Sequence, residues 1–105
     1  MKFTAADLLA QLPLPATEKW PDGVWDVEPF DKNGVRLVFF APRGVDHQTA
    51  HEEDEFYFIT SGTGEIIIGD KRHAFEPGNA FFVPAKVDHH FENFTADFTS
   101  WAIFF

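Results

Sequence analysis

The chain contains no cysteine, which removes disulfides, thiolate metal ligands and a cysteine nucleophile from consideration. Basic residues are scarce too: eight lysines and arginines face seventeen acidic residues, the formal charge is -9, and the cations form no cluster. Without a footprint for phosphate contacts, nucleic acid is not an expected partner. Long apolar runs are also missing. The opening stretch from Met1 to Pro15 holds one short apolar segment interrupted by Asp7, which fits neither a signal peptide nor a membrane span. The expectation is a soluble, unprocessed, cytoplasmic protein with no membrane partner.

Aromatic residues, in contrast, are abundant: fourteen phenylalanines and three tryptophans in 105 residues. Such side chains favour pleated, half-buried surfaces and fill cores and interfaces. The length suits one domain spanning 1–105.

A helical signal occurs only at the start, where Thr4 and Asp7 have capping spacing and an Ala/Leu-rich run follows until Pro13, predicting a short helix over about residues 4–12. From Val24 onward, over about residues 24–105, the pattern becomes short apolar runs broken by turn residues: VWDVEPF, VRLVFFA, EFYFITS, EIII, KRHAFE, NAFFVP, HHFENF and FTSWAIFF. Regular spacing of this kind predicts an all-β sandwich or barrel. Gly69-Asp70 suits a two-residue hairpin, and Pro77-Gly78 suits a type II turn. Several runs are apolar on both faces, so a second subunit covering an outer face is expected, giving a homodimer.

Two clusters carry candidate chemistry. In HQTAHEEDE, His51 and Glu55 share a face of an extended strand but would sit roughly 13 Å apart at about 3.3 Å per residue. Metal donors must each lie about 2.0–2.2 Å from one ion, so the pair can share an ion only if the intervening EED forms a turn or bulge. Glu52, Glu53 and Asp54 are read as a solvated loop without chemistry of their own. The metalloprotease helix motif does not fit, because Glu55 stands where its second histidine is required. In the second cluster, PAKVDHHFEN, alternation places His89, Phe91 and Asn93 on one face and His90 on the other.

These residues resemble the cupin superfamily, as a small single-domain member of the conserved-barrel type. Gly78, Pro84, His89 and Asn93 reproduce the second cupin motif, and His51, Glu55 and Gly62 reproduce the latter half of the first. The resemblance covers about half the chain, Thr49 to Asn93. It implies a double-stranded β-helix (jelly roll) holding one divalent ion, with His51, Glu55 and His89 as ligands. Two positions depart from the pattern: the first motif's leading histidine falls at Thr49, and the second motif's central glycine falls at Lys86. His47 has the parity to replace the missing histidine only if the strand before His51 is bent.

A two-histidine, one-carboxylate set leaves coordination positions open and suits zinc, iron, nickel or manganese without distinguishing them. The functional expectation is therefore a divalent-metal cupin that acts on, or binds, a small oxygen-containing molecule. Dioxygenase-like and isomerase-like chemistry remain open, as do a non-catalytic binding module and a metal-free structural dimer. Tyr57 is the candidate catalytic base, with Thr49, His47, Phe91, Asn93 and Trp101 as candidate pocket or supporting residues.

Overall fold

The computed structural model describes residues 1–105. A helix, α1 (Ala5–Leu9), precedes eight strands: β1 (Asp26–Lys32), β2 (Val35–Phe40), β3 (Glu55–Ser61), β4 (Gly64–Ile68), β5 (Lys71–Phe75), β6 (Ala80–Val83), β7 (His89–Glu92) and β8 (Thr99–Phe104). Each apolar run picked out in the sequence overlaps one strand. The strands form two antiparallel sheets, one in the order β1-β2-β8-β3-β6 and the other β5-β4-β7. This is the double-stranded β-helix that the motifs imply.

Thr4 caps α1, its hydroxyl accepting from the Asp7 N–H at 3.1 Å. The helix is shorter than expected. Beyond Leu9 the backbone tightens into i→i+3 bonds, Gln11 to Leu8 and Leu12 to Leu9, because the residue before Pro13 is disfavoured in the helical region. The Gly69 turn joins β4 to β5 with φ 62, and Gly78 takes φ 93 in a turn closed by Asn79 N–H to the Glu76 carbonyl. Gly62 is obligatory for a steric reason as well: a Cβ there would lie 2.6 Å from Phe98 Cα. Lys86 adopts φ 69, so it takes the left-handed turn for which glycine is the usual choice.

The main core lies between the sheets. Strict alternation in β3 buries Glu55, Tyr57 and Ile59 and exposes Phe56, Phe58 and Thr60. Tyr57 and Ile59 join Val38, Phe40, Ile66, Phe75, Val83, Phe91, Phe98 and Ala102 in one cluster, where each fully buried large side chain contributes about 1.5–3 kcal/mol. A second, smaller cluster of Leu8, Phe39 and Ala41 sits on the outer face of the five-stranded sheet, where α1 covers part of it.

Candidate metal centre

The turn that the sequence left conditional is present. Residues 51–54 lie outside any strand, and β3 begins at Glu55. The turn brings His51 Nε2 to 2.9 Å from Glu55 Oε1, while His89, the first residue of β7, reaches the same oxygen at 3.1 Å. Donor atoms of His51, Glu55 and His89 all lie within 4.8 Å of one another.

Backbone carbonyls fix the imidazoles. His51 Nδ1 lies 2.9 Å from the Glu53 carbonyl and His89 Nδ1 lies 2.9 Å from the Val87 carbonyl. A carbonyl only accepts, so each Nδ1 carries the proton and donates it. In the neutral rings both Nε2 lone pairs then point toward a carboxylate that also only accepts. Glu55 Oε2 has no hydrogen-bond partner, and His89 Nε2 lies near Oε1 without satisfying hydrogen-bond geometry. Glu55 and His89 are only 1% and 2% exposed. Three acceptors turned on one point, Glu55 and His89 buried and His51 half-buried, require a cation among them, a metal ion or a proton. Burial pushes the His89 imidazole down, but the Glu55 carboxylate beside it, the Val87 carbonyl and the Asp46 charge outweigh it and leave its pKa raised. This donor set therefore fits a divalent ion.

The acidic turn is more than a solvated loop, which corrects the expectation for two of its residues. Arg36 grips Glu53 with two bonds, Nε to Oε2 at 2.8 Å and Nη2 to Oε1 at 2.6 Å, and also pairs with Glu28. The same guanidinium covers the Phe104 ring at 4.4 Å, and that ring packs edge-on to His51 at 4.8 Å. Asp54 accepts from Ala85 N–H at 2.8 Å and exchanges backbone bonds with Phe105. Only Glu52 remains largely in solvent, its side chain 82% exposed.

A cavity of about 300 Å³ opens beside the triad. His51, Glu55, Tyr57 and Thr49 line it, together with residues the sequence did not single out: Lys19, Trp20, Asp26, Arg36 and Gln48. A strand signal existed for two of them, since Asp26 and Arg36 are charges inside largely apolar runs. Lys19 and Trp20 reach the cavity from an irregular loop, for which no periodicity exists.

Tyr57 is buried and its hydroxyl donates to Gln48 Oε1 at 2.9 Å. Burial, then the nearby Glu55 and Asp46 charges, push its pKa well above the ordinary value. In this arrangement the Tyr57 hydroxyl is a hydrogen-bond donor, to Gln48. Gln48 is held in turn by Asp46, a buried carboxylate that also accepts from the Phe91 N–H at 2.9 Å. Burial raises the Asp46 pKa against these hydrogen bonds.

The other candidates stand away from the cavity. Phe91 lies in the core against Tyr57. Trp101 packs on Phe39 at 5.1 Å in the outer cluster. Asn93 falls just past the end of β7 with φ 52, where alternation no longer holds, and its amide bonds Glu65 at 2.8 Å. His47 packs edge-on to Trp20 at 5.3 Å and does not line the cavity. His90 turns outward to Glu92 at 2.8 Å.

Residues 36–101 match the Cupin_2 family, described as Cupin domain. An uncharacterized protein of Streptomyces coelicolor is 34% identical over 60 residues, a match spanning 57% of this chain and 57% of that relative. Among solved structures, a cupin 2 conserved barrel domain protein from Salinispora arenicola superposes with a TM-score of 0.64 at 18% identity, covering 76% of this chain and 73% of the other. KdgF from a Halomonas species gives 0.65 at 17% identity, with 75% and 76% covered. DMSP lyase DddQ from Ruegeria pomeroyi gives 0.61 at 20% identity, with 75% of this chain and 45% of the lyase covered. At these identities the solved structures share the fold.

Proposed function

The chain belongs to the cupin domain family, and from that premise we propose that it is a divalent-metal protein whose ion, held by His51, Glu55 and His89, binds a small oxygen-containing molecule in the adjoining cavity. The observation that carries this is the convergence of three acceptors, two of them buried, with both imidazoles held by backbone carbonyls in the tautomer that frees Nε2. When bound, the ion supplies Lewis-acid polarisation of a ligand oxygen and leaves positions open for it. The chain's own contribution is orientation. Glu53 and Val87 hold the histidines, Arg36 holds Glu53, and the Asp46–Gln48 pair fixes the Tyr57 hydroxyl at the cavity wall. Trp20, Val38, Phe40 and Phe104 supply apolar walls for the ligand's carbon skeleton.

Elemental analysis of protein purified without added metal tests the assignment. About one equivalent of zinc, iron, nickel or manganese is expected, and it is lost in the His51→Ala, Glu55→Ala double variant. Undiminished metal in that variant refutes it.

A homodimer is part of the same proposal. On the outer face of the five-stranded sheet, α1 leaves Phe56, Phe58, Phe82 and Phe105 at 38%, 41%, 44% and 48% exposure. They pack on one another, Phe56 against Phe82 at 5.2 Å and against Phe105 at 5.8 Å. The patch adjoins β6, an edge strand paired only with β3. Antiparallel pairing of β6 with its own copy would extend the sheet and continue the aromatic face across the twofold axis. Sedimentation at micromolar concentration is expected to show a dimer that Phe58→Glu converts to monomer; a monomeric wild-type protein refutes the interface.

A further inference from the structure

The loop from Leu14 to Val24 lies outside residues 36–101, the stretch matched to the family. It is closed at its base by paired backbone bonds, Leu14 N–H to Val24 at 2.7 Å and Val24 N–H to Leu14 at 3.0 Å. Inside it, Trp20 N–H donates to Thr17 Oγ1 at 3.0 Å and Thr17 N–H to the Trp20 carbonyl at 3.1 Å. These bonds shape the loop so that Lys19 and Trp20 both reach the cavity wall.

Lys19 differs from the other cation there. The Arg36 guanidinium is taken up by Glu28 and Glu53. The Lys19 ammonium has one hydrogen-bond partner, the Thr49 hydroxyl at 3.2 Å. Thr49 stands two residues before His51, where the resembled motif carries a further histidine. A neutral hydroxyl accepting from an ammonium is a weak candidate for that metal position, so a position on the ion is left for a ligand close to a cation without a carboxylate partner. Trp20 and Phe40, packed edge-on at 6.3 Å, form an apolar wall beside it.

We propose that the cavity's ligand is a small carboxylate bearing a second oxygen donor on the adjacent carbon, a 2-hydroxy or 2-oxo acid. Its two oxygens fill open positions on the ion, Lys19 pairs with the carboxylate, and Trp20 and Phe40 flank the side group. Lys19 is thus the specificity-determining residue, supplied from outside the family-matched strands. The Asp26 carboxyl faces the same space and would oppose an anion. Burial first, then Glu28 and Asp46, raise its pKa, while Lys19 lowers it.

The proposal rests on the metal assignment above, and its test separates the two. Zinc-loaded protein, with uptake verified by elemental analysis, is titrated calorimetrically with glycolate, lactate and mandelate, and with the neutral mandelamide. Mandelate is expected to bind more tightly than mandelamide. Lys19→Met should weaken mandelate by at least about tenfold, the loss of one hydrogen bond to a charged group, with mandelamide changed less than about twofold and zinc affinity unaltered. Lys19→Arg should retain mandelate binding. Failure to take up zinc overturns the proposed function and this proposal together. Zinc uptake without binding of any of the three acids, or equal losses for mandelate and mandelamide in Lys19→Met, overturns this proposal alone.

Discussion

Replacing Glu55 by glutamine distinguishes a metal site from a structural ion pair, because the two predict opposite signs. Glu55 is 1% exposed, and its Oε1 faces His51 Nε2 at 2.9 Å and His89 Nε2 at 3.1 Å. Both Nδ1 atoms are engaged by carbonyls, so without metal, and with a single proton on each ring, the Nε2 atoms present acceptors to an acceptor. An unsatisfied buried polar group costs about 1–3 kcal/mol. The glutamine amide donates to one Nε2 and removes the buried charge, so the metal-free variant should be more stable than the metal-free wild type by about that amount. For a domain of this size, each 1 kcal/mol moves Tm by about 4–8 °C. With free zinc at a hundred times its Kd, the wild type should gain about 2.7 kcal/mol by linkage, and the variant should gain nothing. Scanning calorimetry of both proteins, with chelator and with zinc, reads all four states. A variant destabilised by about 3–5 kcal/mol, as when one partner of a buried ion pair is removed, together with a wild type indifferent to zinc, would refute the reasoning.

Arg36→Met removes the fork on Glu53 and the cover on Phe104, both of which hold His51. Loss of such support should cost about 10–100-fold in zinc affinity, measured against a competing chelator, and Arg36→Lys should not restore it because an ammonium has no fork. Unchanged affinity would show that the turn holds itself. The response to pH should differ in sign between the metal-free and metal-loaded protein. The raised His89 pKa stabilises the metal-free fold fully below 6.5, and that contribution is lost as pH rises through the raised value. Zinc requires neutral His89, so affinity should instead rise over the same interval. Denaturant midpoints across that interval check both slopes, and parallel slopes would rule out His89 as the group shared by proton and metal.

The sequence alone determined the strands, their turns and the three residues of the triad. Strand positions were legible because a turn glycine and period-two alternation act over a few residues, as at Gly69, Pro77-Gly78 and the alternating Glu55–Thr60 run. His51, Glu55 and His89 were legible because their spacing recurs in a known motif, although the contact of His51 with Glu55 depended on a turn that spacing only permitted.

Tertiary structure decided which faces look into the cavity. Trp101 and Ala102 are neighbours on β8, yet Ala102 lines the cavity and Trp101 packs outside on Phe39. Both faces of β8 are apolar and both are covered, so alternation cannot tell inside from outside. Asn93 left the His89 face because β7 ends at Glu92. The partners of Lys19, Arg36 and Asp46 were beyond local inference for a different reason. Lys19 meets Thr49 thirty positions away, Arg36 meets Glu53 across seventeen, and Asp46 meets Phe91 across forty-five. Contacts of that range come from sheet register and loop path, which depend on the whole chain packing at once. Local side-chain periodicity carries no record of them.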